Sequence, residues 1–94
     1  MTETPTADTT PYEHGGVTWD IPNDLIALQQ AWDDAHAAVG ALVDGDDTEA
    51  FERARARRLD LTDALHDHPW LLAAMRDRRR FQADLALKAC ARQR

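Results

Sequence analysis

The chain has 94 residues, 44% of them apolar, with 17 acidic and 11 basic side chains and a formal net charge of −6. That size holds one domain at most, and a single cysteine, Cys90, excludes an internal disulfide. The longest uncharged apolar run, residues 35–43, is far too short to cross a bilayer, and the N-terminus lacks the basic and apolar regions of a secretion signal. A cytoplasmic protein without a membrane anchor is expected.

The charge is unevenly placed. The first fifty residues hold eleven carboxylates and no basic side chain, while all eleven lysines and arginines lie after residue 52. The apolar residues are mainly alanine and leucine, a helix-forming composition, and the sequence predicts an all-α fold.

Residues 1–16, rich in threonine, proline and acids and ending in Gly15-Gly16, read as a disordered leader, followed by one helical domain over 17–94. Residues 17–21 carry Trp19 and form a short apolar insert, expected as a strap over a helix end because no second strand is evident. A first helix is predicted over about 22–43, with Pro22 in its opening turn and an apolar stripe of Leu25, Leu28, Trp32, Ala35, Val39 and Leu42. It ends at Asp44-Gly45-Asp46-Asp47, where glycine and short polar side chains favour a turn.

A second helix follows over about 49–67, its stripe of Phe51, Ala54, Leu61 and Leu65 interrupted by Arg58. The short loop makes the two helices antiparallel neighbours in which facing residue numbers sum to about 91. Arg58 is therefore expected to cross the Trp32 ring and pair with Asp33. Pro69 breaks this helix, with Asp67 or His68 as the next cap, and a third helix is predicted over about 69–91. The result is an antiparallel hairpin plus a third helix, as a three-helix bundle or an extended hairpin. The third helix has a stripe of Trp70, Leu71, Ala74, Phe81, Leu85 and Ala89 that is again interrupted by an arginine, Arg78, and roughly opposite lie Leu72, Ala83, Ala86, Leu87 and Cys90, so the C-terminal half of this helix is apolar on two faces.

No motif carries a reaction. A calcium loop starting at Asp44 would place Arg55 where a bidentate glutamate is needed. His66 and His68 stand two apart and point to different helical faces, and Cys90 has no histidine near it in sequence. No catalytic, metal or cofactor residue is assigned. The two-sided third helix instead points to a non-catalytic protein-protein interaction module, open to self-association, with Trp70, Leu72, Phe81 and Leu87 as interface residues and Trp32 in the core or interface. The alternative is a small DNA-associated regulator using Arg76, Arg79 and Arg80, against which the net charge argues. A helical enzyme with a site shared between subunits is a third class with no residues to assign.

Overall fold

Two short strands open the fold, β1 (Thr9–His14) and β2 (Val17–Pro22), in a computed structural model that describes residues 8–93. They pair antiparallel with Thr10 opposite Ile21, Tyr12 opposite Trp19 and His14 opposite Val17. Gly15 and Gly16 form the two-residue loop with φ of 64° and 79°. Positive φ at both positions is the requirement of a type I′ turn, whose twist matches the strands. The all-α expectation is thereby corrected, as is the strap without a partner: residues 17–21 are a strand, and the expected leader supplies its mate. Residues 1–7, also assigned to that leader, lie outside the described residues.

The hairpin holds because it is amphipathic. Thr10, Tyr12 and His14 alternate with exposed residues, and on β2 the inward positions Trp19 and Ile21 are buried. A lone hairpin is marginal in water. Here Trp19 and Ile21 join a core with Leu25, Ile26, Leu65, Leu71, Ala83, Ala86, Leu87, Cys90 and Ala91. The Asp8 carbonyl accepts from the Asn23 amide at 2.8 Å, which anchors the start of the hairpin to the first turn of the next helix.

That helix, α1 (Asn23–Leu42), buries Leu25, Ile26, Gln29, Ala35 and Val39. Pro22 closes β2 rather than entering the helix. The turn falls at residues 43–47, and Asp47 caps α2 (Thr48–His66) by accepting from the Ala50 amide at 3.0 Å. Of the nineteen residues of α2, Leu65 is the one that is buried.

Pro69 begins α3 (Pro69–Arg76), and His68 is its cap. His68 Nδ1 accepts from the Trp70 amide at 3.1 Å, so Nε2 carries the proton that it donates to Asp24 Oδ2, also at 3.1 Å. One imidazole therefore satisfies an end of α3 and ties it to the first turn of α1.

The single third helix expected over 69–91 is in fact two, because residues 77–79 separate α3 from α4 (Arg80–Arg92). The Arg79 amide bonds Ala74 O at 2.7 Å and the Arg78 amide bonds Met75 O at 3.1 Å, with Arg78 at φ 60°. This is a Schellman ending with arginine where glycine is usual. Its cause lies in the core. On one straight helix at 3.6 residues per turn, Leu71 and Ala83 would stand about 120° apart, yet both are buried in the same cluster. Left-handed φ at a non-glycine residue costs about 1–2 kcal/mol, and fully burying one leucine such as Leu87 returns about 1.5–3 kcal/mol.

Two stability predictions follow from these turns. Arg78→Gly removes the left-handed strain without losing a contact and is expected to raise unfolding stability by about 0.5–1 kcal/mol in urea titration. His68→Ala is expected to lower it by about 1 kcal/mol or more, with His68→Asn retaining most of the cap.

Candidate functional site

The break at Arg78 sets the rotation of α4. Ala83, Ala86, Leu87, Cys90 and Ala91 turn inward, while Phe81 and Leu85 turn out, Phe81 to 71% exposure. The four interface residues expected from sequence are accordingly dispersed. Leu87 is fully buried in the core, Leu72 is half-buried, and Trp70 is half-buried with its ring edge-on to Trp19 at 6.0 Å. Phe81 alone among them stands in solvent.

Phe81 forms the lip of a cleft of about 450 Å³ where α1, α2, α3 and α4 meet. Its apolar lining is Trp32, Leu65 and Leu71, with Phe81 at the edge. Polar groups around it include Thr62, His66, Arg80 and Lys88.

Hydrogen bonds and ring contacts link the residues of the lining. Trp32 Nε1 donates to Thr62 Oγ1 at 2.8 Å, and the Thr62 hydroxyl donates to the Arg58 carbonyl at 2.8 Å. With its proton bonded to a backbone oxygen, Thr62 is not poised as a nucleophile. The Trp32 ring stacks on His36 at 4.8 Å with 12° between planes, and Arg58 Nη1 donates to His36 Nδ1 at 2.9 Å. Gln29, 2% exposed, donates to Asp33 Oδ1 at 3.0 Å.

The Arg58–Asp33 pair expected from sequence is thus replaced by Arg58–His36. In the two cross-helix contacts, Trp32 with Thr62 and His36 with Arg58, the residue numbers sum to 94. The expected register was three lower, nearly one helical turn, which moves Asp33 out of line with Arg58. No local sequence signal encodes that offset.

The three arginines of the nucleic-acid alternative do not share one environment. Arg76 is exposed, the Arg79 guanidinium lies 4.6 Å from the Trp19 ring centre, and Arg80 is half-buried at the cleft. Lys88 is neutralised by Asp84 at 3.0 Å, whereas Arg80 meets no carboxylate within ion-pair distance among the described residues. Among the same residues, no three histidine, cysteine or acidic side chains gather as a metal site, and no helix is long and apolar enough to cross a membrane.

What the site offers is a preformed apolar hollow with a large exposed anchor and a cation beside it. A double-mutant cycle checks how its wall is built. Arg58→Ala and His36→Ala are expected to be non-additive by about 0.5 kcal/mol or more in urea unfolding, and Arg58→Ala with Asp33→Ala to be additive within about 0.3–0.5 kcal/mol. No protein-family model, curated protein or solved structure was found to match the chain.

Proposed function

We propose that this chain is a non-catalytic cytoplasmic module that binds another protein through the cleft beside Phe81. The exposure of Phe81, 71% on the lip of an apolar hollow, carries this reading. Covering a phenylalanine is worth about 1.5–3 kcal/mol, and an aromatic beside a concave apolar surface is the usual form of an energetic anchor at an interface. The fold has a core of its own and leaves this ring outside it.

The DNA-associated alternative has less support. Arg79 is engaged with Trp19, and the exposed residues of α4 are Phe81, Gln82, Leu85 and Arg92, one cation among four rather than a row of them.

The test begins with affinity purification of the intact protein from its own cells beside Phe81→Asp and a control, Met75→Asp, at an exposed site outside the cleft. Any protein that depends on Phe81 is then purified and titrated directly. The expected result is binding with Kd below about 10 μM, weakened at least about tenfold by Phe81→Asp and unchanged by Met75→Asp. Equal behaviour of all three proteins would remove the docking role. A sedimentation dimer dispersed by Phe81→Asp would make the partner a second copy of the chain.

A further inference from the structure

A second hollow of about 450 Å³ lies along α2 and is lined by Glu52, Arg55, Ala56, Arg58, Leu59 and Thr62. It meets the Phe81 cleft at Thr62, and the α2 residues lining the two, from Glu52 to His66, recur at helical spacing, so the hollows follow one another along α2 as two stretches of a groove divided at Thr62. Each stretch carries one prominent exposed apolar side chain, Phe81 at 71% and Leu59 at 61%. From Glu52 to His66 the groove runs about 21 Å along the α2 axis, the length of a helix of about fourteen residues. That is too long for a compact small molecule and suits a segment of polypeptide.

Charge narrows the kind of segment. In the groove Arg55 is paired with Glu52 at 3.4 Å and Lys88 with Asp84 at 3.0 Å. Arg58 bonds the His36 ring, which leaves its positive charge without a carboxylate, and Arg80 has none either among the described residues. A protein of net charge −6 thus keeps two arginines without a carboxylate partner, among the described residues, along these two hollows. Both sit where an incoming carboxylate would be partly desolvated, so that charge-assisted pairing is stronger than on an open surface.

We infer that the groove receives an acidic amphipathic helix of a partner protein. Its apolar residues cover Phe81, Trp32 and Leu59, and its carboxylates meet Arg80 and Arg58. The inference rests on the docking role of the Phe81 cleft and adds the chemistry of the occupant. A second copy does not supply such a helix: the chain's own acidic amphipathic helix, α1, has its apolar side engaged by α2 and α4.

The experiment is selection of a displayed library of random 16-residue peptides on the intact protein, followed by titration of synthesised winners. Enriched sequences are expected to carry apolar residues at i, i+3 or i+4, and i+7, with a net negative charge. Arg80→Glu and Arg58→Glu are each expected to weaken a winner at least about tenfold, and replacing its acids by lysine is expected to abolish binding. Circular dichroism of each variant verifies the helical fold. Enrichment of neutral or basic peptides that still depend on Phe81 would overturn the acidic-helix inference and leave the docking reading standing. Acidic winners indifferent to both arginine variants would also overturn it. If no enriched peptide responds to Phe81→Asp, both readings fall. A 20-base-pair duplex that binds at low salt with the same Arg80 and Arg58 dependence would overturn the inference in favour of nucleic acid.

Discussion

A single left-handed residue, Arg78, decides where α4 points, and most of the molecule depends on that direction. With the turn in place, Ala83, Ala86, Leu87, Cys90 and Ala91 close the core beneath α1 and the β-hairpin. The small side chains on this face let α4 approach closely, and Gln30 Nε2 then donates to the Ala91 carbonyl at 3.2 Å, satisfying an acceptor near the helix end. The same rotation expels Phe81 and Leu85. Core formation and the exposure of the candidate anchor are therefore two consequences of one backbone choice.

His68 has a comparable role at the other end of α3. Because its two ring nitrogens serve different partners, the Trp70 amide and the Asp24 carboxylate, it fixes where α3 begins and where it sits against α1. Pinned at both ends, the eight-residue α3 places Leu71 in the core and in the wall of the cleft at once. A helix so short has little stability of its own, so its position is set by its caps and its packing.

The uneven charge along the chain takes on a different meaning in three dimensions. Acidic α1 lies against α2, whose four arginines are matched by four carboxylates, and the ion pairs among the described residues are Arg53–Glu49 and Arg55–Glu52 within α2 and Lys88–Asp84 within α4, beside the His68–Asp24 hydrogen bond that ties the start of α3 to α1. None joins α1 to α2. Across α1 and α2, polar contacts instead join Trp32 to Thr62 and the Arg58 guanidinium to the His36 ring that stacks on Trp32, neither of them an ion pair. Exposed ion pairs contribute about 0–1 kcal/mol each, so the split is a weak means of assembly. Arg58 and Arg80 are left able to meet charge from outside.

The sequence by itself determined the local features: the period of α1, the turn at Asp44-Gly45-Asp46-Asp47, and the break at Pro69 with Asp67 or His68 as cap, between which the structure chose His68. Each rests on backbone chemistry within a few residues. The β-hairpin was missed although a signal for it was present, Gly15-Gly16 between the alternating runs Thr10, Tyr12, His14 and Val17, Trp19, Ile21, because the polar, proline-containing first strand resembles a disordered leader until its face is seen to be covered. Tertiary structure alone decided the break at Arg78, the hairpin register that gives Arg58 to His36 instead of Asp33, and the cleft. No glycine or proline marks residues 77–79. The turn exists because a straight helix could not bury Leu71 and Leu87 against the same core, and that conflict appears only when the other elements are in place.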